Sequence, residues 1–175
     1  MKKMFTIIAM AIISISCMGQ KVDNSTVSNL YLNKYLGTWY EIARFDHSFE
    51  RGMSFTTAKY SPAGDGTIAV VNSGIKDGKM KSAKGKAKVT TVPGLLRVSF
   101  FGPFYSDYRI LMVTDDYQYA LVGSKSPAFL WILSRTPNVP QDTLDAILRE
   151  AADRGYKTEK LVWVQQDSPG LIWHQ

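Results

Sequence analysis

The order of apolar and polar positions divides the chain from Gly37 to Val122 into short runs rich in β-branched and aromatic residues, with turn signals between them. In chain order the runs are "TWYEIARF", "MSFTTAKYS", "TIAVVNSGI", "SAKGKAKVT", "LLRVSFF", "YSDYRILMV" and "YALVGS", and "FLWILSR" follows them. The turns include Asp77-Gly78, a strong hairpin signal because both residues tolerate positive φ angles. Short strands at this spacing, joined by tight turns, predict an antiparallel sandwich or barrel.

Alternation within the runs favours a barrel whose interior has room. In "SAKGKAKV", Lys84, Lys86 and Lys88 share one face, and small or apolar residues share the other. In "LLRVSFF", apolar residues alternate with Arg97 and Ser99 in the same way. The row of lysines is typical of a solvated outer face that discourages edge pairing, and the alternative is attraction to membrane phosphate groups.

One helix is predicted after the strands, at about residues 141–154. In "VPQDTLDAILREAADRGY", an apolar stripe recurs at helical spacing from Leu144 to Ala151, and Gly155 stands where a C-terminal cap is expected. Such a stripe is typical of a helix that packs against a sheet. A last strand, "KLVWVQQ", then returns to the sheet. An antiparallel up-and-down barrel of eight strands, with this helix outside and a short ninth strand, has an interior that side chains fill or one small ligand occupies.

The N-terminal stretch "MKKMFTIIAMAIISISC" has the features of a secretory signal peptide, predicted over residues 1–16. Its uncharged run from Met4 to Ser16 is shorter than the roughly 18 residues that a spanning helix needs. The ending "SISC" resembles a bacterial lipobox, and Cys17 is the only cysteine in the chain. Acylation of Cys17 is therefore predicted, and the alternative is a free thiol beside an ordinary cleavage site.

The bounds of the remaining segments are predicted from their polarity and length. Residues 17–30 are predicted to be the acylated cysteine and a flexible tether, residues 31–167 the barrel domain, and residues 168–175 a C-terminal tail. The formal charge of +6 includes Lys2 and Lys3 of the signal peptide, so the mature chain is only mildly basic. That balance suits an anionic membrane surface, and no nucleic-acid motif is present, so no nucleic-acid partner is expected.

The sequence offers little for catalysis, and no metal or cofactor is expected. His47 and His174 are its only histidines, and it contains no Gly-x-Ser-x-Gly elbow, metal-ligand cluster or phosphate-binding loop. An esterase pairing Ser48 with His47 is disfavoured because adjacent residues rarely face each other correctly. Haem or pigment binding is a further alternative, although neither histidine is expected inside a barrel.

Three motifs resemble the signatures of the lipocalin family: "NKYLGTWYEIARF" with its Gly-x-Trp, "VTDDYQYALV" with its turn before a strand, and "LWILSRTP" with its arginine. The segments "RFDHSFERG", "VSFFGPFY", "LWILSRTPNVP" and "VWVQQ" are similar to the bacterial outer-membrane lipoprotein branch, which is related to apolipoprotein D. The resemblance covers roughly residues 29–167.

This resemblance implies roles for the signature residues. Gly37 would admit the chain into the first strand, Trp39 would plug the closed end of the barrel, and Arg135 would lie across the Trp39 indole. Thr114, Asp115 and Tyr117 would form the second signature turn. The segment "RFDHSFERG" would be a loop at the mouth with its charges exposed to water.

The resemblance also implies a ligand site near the open end. It places Tyr60, Tyr105 and Trp131 against a ligand. The alternation of side chains along the strands then adds three residues that are expected to point inward: Ala58, Val98 and Phe100. Glu41 is expected to point inward with Trp39 and Ala43, where it needs a partner. A structural hydrogen bond or ion pair and a ligand contact are both open for it.

Together these features predict a lipid-binding protein anchored to the outer membrane through Cys17, on the periplasmic side. The expected ligands are fatty acids, lysophospholipids or similar amphiphiles, held for storage or transport. Burial of an acyl chain contributes about 0.8 kcal/mol per methylene, so affinity needs no specific polar clamp. Apolar residues at the mouth or along "VSFFGPFY" are compatible with a homodimer.

Overall fold

A computed structural model of the protein describes residues 21–166. The predicted signal peptide over 1–16, Cys17 and the tail over 168–175 lie outside the described residues. Between residues 21 and 166, no helix is both long and apolar enough to cross a bilayer.

The strands form one antiparallel sheet in the order β2-β3-β4-β5-β6-β7-β8-β1-β9, and an additional pairing of β2 with β1 closes the first eight into a barrel. The strands are β1 Gly37–Phe45, β2 Ser54–Pro62, β3 Ile68–Lys76, β4 Lys79–Val89, β5 Leu95–Phe101, β6 Phe104–Val113, β7 Tyr119–Gly123, β8 Leu130–Ser134 and β9 Leu161–Trp163. A short helix α1 (Leu32–Tyr35) precedes β1, helix α2 (Gln141–Asp153) follows β8, and a 3-10 turn spans Thr158–Lys160. This architecture confirms the predicted eight-stranded barrel with one outer helix and a ninth strand.

The barrel has two apolar cores, one inside and one beneath α2. The inner core includes Trp39, Tyr60 and Ile110. The outer core lies where Ile147 and Ala151 of α2 pack on the barrel wall. Strands β7 and β8 contribute to both cores, which explains why their sequences are apolar at consecutive positions.

A β-bulge in β1 changes which residues face inward. Glu41 lies opposite Leu133 of the inner core, but Ala43 lies opposite Ile132 of the outer core, so the register shifts between them. The extra residue, Ile42, reverses the alternation of side chains. Ala43 therefore packs beneath α2, and the prediction that it points inward with Trp39 is wrong. Beyond the bulge, Arg44 lies opposite Trp131.

The segment before the barrel is packed against it. The side-chain amide of Asn24 donates to the carbonyls of Ser124 and Lys125, at 3.3 and 3.1 Å. The backbone N–H of Val27 donates to the carbonyl of Ile110 at 3.0 Å. This carbonyl adjoins a second bulge, between Ile110 and Met112, where the pairing of β6 with β7 is interrupted. The flexible tether predicted over 17–30 is therefore wrong for its described part, residues 21–30.

The closed end of the barrel is sealed by Trp39 and Arg135. The guanidinium carbon of Arg135 lies 3.7 Å from the centroid of the fully buried Trp39 indole, as the family resemblance implied. Its Nη1 donates to the carbonyl of Thr38 at 2.8 Å, and its Nη2 donates to the carbonyls of Lys34 and Leu36 at 2.7 and 2.9 Å. One side chain thus ties α1, β1 and β8 together.

The remaining signature residues support this seal. Gly37 has a φ of +103°, and a Cβ there would lie 3.3 Å from Nη1 of Arg135. The carbonyl of Tyr117 accepts a hydrogen bond from Nε of Arg135 at 3.2 Å. In the second signature turn, the carboxylate of Asp116 accepts hydrogen bonds from the hydroxyl of Thr114 at 2.6 Å and from the backbone N–H of Gln118 at 3.1 Å. The turn therefore depends on the second aspartate, not on Asp115 as expected.

Arg135→Ala should remove the cover of Trp39 and several charge-assisted hydrogen bonds. We expect the free energy of unfolding to fall by about 3 kcal/mol, because each such bond contributes on the order of 1.5–3 kcal/mol and part of this loss is recovered by water. Urea denaturation followed by circular dichroism measures this change. Arg51→Ala is the matched control, since its ion pair with Asp46 is exposed. Equal midpoints for the two variants would contradict the role given to Arg135.

Candidate functional site

The closed end of the barrel interior has a floor of tyrosines above Trp39. The hydroxyl groups of Tyr35 and Tyr108 are 2.7 Å apart, and the hydroxyl of Tyr60 donates to that of Tyr108 at 2.9 Å. The Tyr35 ring lies 5.0 Å from that of Trp39. Burial raises the pKa of each of the three hydroxyls, so all remain neutral. The expected ligand residue Tyr60 is thus part of a hydrogen-bonded floor.

Tyr35 and Tyr108 were missed in the sequence. Tyr108 lies opposite Leu96, whose inward position the alternation of "LLRVSFF" already predicts, so a register between β5 and β6 would have found it. Tyr35 precedes β1 and lies in α1, where strand alternation gives no signal.

Above the floor, the barrel wall contains four of the predicted ligand residues. Ala58, Val98, Phe100 and Trp131 are partly buried, and all pack against the inner core. Gly85 makes room for the Phe100 ring, since a Cβ there would lie 2.9 Å from its Cδ1 atom. These side chains form an apolar surface that leads from the floor toward the open end.

Tyr105 lies on the outer face of the barrel, so the prediction that it lines the cavity is wrong. Its ring centroid is 4.6 Å from the Nζ atom of Lys88, and its carbonyl accepts a hydrogen bond from the outward-facing Arg97. The register explains this orientation: Val98 lies opposite Ser106, which places Ser106 inward and its neighbour Tyr105 outward.

A buried polar cluster lies on the same side of the barrel as Trp131. Arg44 donates from Nη1 to the carboxylate of Glu41 at 2.7 Å and from Nη2 to the carbonyl of Glu50 at 2.6 Å. The indole N–H of Trp131 donates to the Glu50 carboxylate at 3.2 Å. The partner that Glu41 needs is therefore Arg44, which the bulge at Ile42 turns inward.

The loop between β1 and β2 closes over this cluster. His47 is buried, with its ring centroid 4.9 Å from that of Trp131 and 5.0 Å from that of Phe129. Its Nε2 atom is buried without a hydrogen-bond partner in the described part of the chain, 3.5 Å from the Glu50 carboxylate. Asp46 and Arg51 pair at the surface, as expected, but the prediction of exposed charge is wrong for His47 and Glu50.

The cluster carries less charge than its composition suggests. Burial, and then the charge of Glu50, raises the pKa of Glu41 to about 8, against the opposing effect of Arg44. Burial also raises the pKa of Glu50. The carboxyl of Glu41 therefore holds a proton near neutral pH, although Arg44 lies against it. Burial, and then Arg44, lowers the pKa of His47 to about 4, so its ring is neutral.

The chain is similar to known proteins in both sequence and fold. A family model described as a lipocalin-like domain matches residues 30–166. The chain is 42% identical over 171 residues to outer membrane lipoprotein Blc of Vibrio cholerae, covering 95% of this chain and 99% of that protein. It is 35% identical over 148 residues to apolipoprotein D of Mus musculus, covering 79% and 78%. The chain belongs to the lipocalin family.

The same fold occurs in insecticyanin from the tobacco hornworm Manduca sexta, with a TM-score of 0.68, 21% identity and coverage of 83% of this chain and 85% of that one. Close relatives are named outer membrane lipoproteins, which locates this protein at the outer membrane of the cell envelope. Lipocalins are generally binding proteins rather than enzymes. The chain is accordingly a lipoprotein of the type that binds a hydrophobic ligand in its barrel.

Glu41→Gln should remove most of the pH dependence of stability near neutral pH. The pKa of Glu41 is about 8 in the folded chain and 4.5 without its surroundings, so the folded state holds the extra proton and rising pH destabilises it. We expect the free energy of unfolding of the unaltered protein to fall by up to roughly 2 kcal/mol between pH 6.5 and 8. His47 opposes this trend only below pH 6.5, where unfolding takes up its proton.

Urea denaturation at several pH values measures the slope, and Glu50 accounts for any smaller slope that remains in Glu41→Gln. The matched control is Glu159→Gln, because Glu159 is exposed on the 3-10 turn. In this variant the free energy of unfolding should depend on pH as steeply as in the unaltered protein. A Glu41→Gln variant with the full slope would show that Glu41 is ionised in the fold.

Proposed function

We propose that this lipocalin holds single-chain amphiphiles, fatty acids or lysophospholipids, for storage or transport of lipid at the outer membrane, to which an acylated Cys17 anchors it. The observation that carries this proposal is the division of the barrel interior. Apolar side chains form the wall at Ala58, Val98 and Phe100, and the charged side chains gather beside Trp131. An acyl chain directed toward the tyrosine floor would leave its head group near the mouth.

The wall supplies the affinity for such a ligand. Each buried methylene contributes about 0.8 kcal/mol, so a long acyl chain offers on the order of 10 kcal/mol before the costs of binding. Apolar burial distinguishes chain types poorly, so this mode of binding fits a class of amphiphiles rather than one molecule. The partly buried Trp131 is the residue where the wall meets the polar cluster.

The polar cluster suits a head group that brings its own charge. Arg44 is already paired with Glu41, and the neutral His47 presents a buried Nε2 atom with no hydrogen-bond partner in residues 21–166. A carboxyl or phosphodiester group at the mouth would find hydrogen-bonding groups there without displacing the Arg44 pair. This arrangement favours one orientation of the ligand, with its tail inward.

A planar hydrophobic ligand, haem or a pigment, is a second candidate because of His47. Its Nε2 atom is free of hydrogen bonds within the described residues, and the rings of Phe49, Phe129 and Trp131 lie around it. The lowered pKa of His47 keeps that nitrogen available as an iron ligand. A haemin titration that gives a Soret band in the unaltered protein, and none in His47→Ala, would favour this candidate.

Trp131→Ala should weaken binding of a fatty acid. Removing the indole takes away roughly 1.5–3 kcal/mol of apolar contact, which corresponds to about a tenfold or greater loss of affinity for palmitate. Native mass spectrometry and isothermal titration of the chain beginning at Met18 measure this loss, and organic extraction identifies lipid that co-purifies. Trp163→Ala is the matched control, since Trp163 is exposed on β9 outside the barrel.

A barrel that is empty on purification and also rejects added fatty acids and lysophospholipids would contradict the proposed function. A haemin or pigment complex under the same conditions would favour the second candidate. Equal losses of affinity in Trp131→Ala and Trp163→Ala would place the ligand elsewhere.

Cys17→Ser should release the protein from the membrane. Without the thiol no acyl chain is attached, and the chain offers no spanning helix between residues 21 and 166 to replace the anchor. Fractionation of cells by sedimentation measures the distribution, and Met18→Ser is the control because it leaves the cysteine in place. Membrane retention of the Cys17→Ser protein after signal cleavage would contradict acylation as the anchor.

A further inference from the structure

The open end of the barrel exposes several large apolar side chains. Strands β1, β3, β5 and β7 end there, so its loops are residues 46–53, 77–78, 102–103 and 124–129. At these loops Phe49 is 61% exposed, Met80 70%, Phe101 82% and Phe104 79%. Phe101 and Phe104 lie opposite each other on neighbouring strands. Large apolar side chains gathered at one end of a protein indicate an interaction surface.

The charge at this end is basic. Lys76, Lys79 and Lys81 surround the turn between β3 and β4, where Asp77 is the only acidic residue. The register of β4 with β5 begins at Lys86, so residues 79–85 of β4 extend beside β3 alone and are largely exposed. Exposed aromatic side chains next to lysines fit the interface of an anionic lipid bilayer.

The described part of the N-terminal segment leads to this same end. Asn24 is bonded to Ser124 and Lys125 in a mouth loop. Lys21 lies beside Gly155, since its carbonyl oxygen would be 3.2 Å from a Cβ there. Gly155 precedes Tyr156, whose hydroxyl reaches Gly123 at the mouth end of β7. Only three residues lie between Cys17 and Lys21, so the two Cα atoms are at most about 14 Å apart.

We propose that the mouth of the barrel docks on the anionic surface of the membrane that holds the anchor, with Phe101 and Phe104 among the lipid head groups and the lysines of the β3–β4 turn on phosphates. This inference rests on the anchor at Cys17 given under the proposed function. The short reach of the anchor and the basic, apolar mouth favour the same orientation independently. A lipid would then pass between bilayer and barrel without crossing bulk water.

The test places an environment-sensitive fluorophore at one end or the other of the acylated, full-length protein in vesicles. The two variants are Phe101→Cys at the mouth and Val92→Cys at the closed end, where Val92 is also exposed. Cys17, once acylated, does not react with the label. In vesicles of phosphatidylcholine and phosphatidylglycerol, we expect lipids with a nitroxide on the acyl chain to quench the label at 101 at least threefold more than the label at 92.

Charge reversal provides a second measurement. Lys79→Glu combined with Lys81→Glu should reduce quenching at 101 at least twofold, although the acylated protein still sediments with the vesicles. Lys34→Glu combined with Lys59→Glu is the matched control, because these exposed lysines lie at the closed end, Lys34 in α1 and Lys59 opposite Thr38 at the start of β1. Unchanged quenching in the mouth variant would overturn the role given to the lysines.

Equal quenching at the two positions, or stronger quenching at 92, would overturn the proposed orientation. Absence of quenching at both, with energy transfer between labels at 101 on two molecules, would show that a second copy covers the mouth instead. Sedimentation with vesicles reports the anchor separately, and isothermal titration of the chain beginning at Met18 with palmitate reports ligand binding. Failure of docking is thereby distinguishable from failure of the proposed function.

Discussion

The bulge at Ile42 is the constraint on which the site depends. In a strand with regular alternation, every second side chain points to the same face. Without a bulge, each position of β1 in one alternating set would face the barrel interior, and each position of the other set would face α2. With one extra residue, β1 places Trp39 and Glu41 inside the lower half of the barrel and Arg44 inside the upper half. Ala43, between them, packs beneath α2. The same irregularity therefore completes the outer core and supplies the cation of the inner cluster.

That cation makes the polar cluster tolerable inside an otherwise apolar barrel. A buried carboxylate without a partner would cost several kcal/mol, and Glu41 would then be protonated outright. Arg44 offsets part of this cost, but burial and then the charge of Glu50 still raise the pKa of Glu41, so the cluster holds a proton near neutral pH. Because the cluster is close to neutral when no ligand is bound, a charged head group would not meet a strong field of either sign. Apolar contact with the wall would then be the main source of affinity for the proposed ligand.

Sequence reasoning found those features whose signals are local. Trp39, Arg135 and the helix at Gln141–Asp153 lie in motifs or periodic runs that report their own geometry. Ala43 was wrongly assigned because it lies beyond a change of register, and one inserted residue leaves no mark in local composition. Tyr105 was assigned from the family resemblance, and the pairing of Val98 with Ser106 turns it outward instead.

The burial of His47 and Glu50 was missed for another reason. Their loop reads as polar, and only its contact with Arg44 and Trp131 from other parts of the fold takes these two side chains out of water. The segment over residues 21–30 also reads as polar and aperiodic, yet backbone and side-chain hydrogen bonds to β6, to the β7–β8 loop and to the end of α2 hold it on the barrel. A polar sequence indicates solubility of a segment, but it does not indicate freedom when the fold offers unpaired carbonyls nearby.

The ordered segment changes what an anchor at Cys17 would do. A flexible tether of 13 residues would let the barrel tumble above the bilayer and present either end to it, because a random chain of that length spans on the order of 20 Å. A segment bonded from Asp23 to Val27 removes that freedom and leaves only the short stretch from Cys17 to Lys21 as a link. The link begins at the mouth half of the barrel. An anchor at Cys17 would therefore bring the opening of the barrel close to the membrane. The hydrogen bonds of Asn24 would then serve the proposed function by orienting the barrel, as Trp131 would by contacting the ligand.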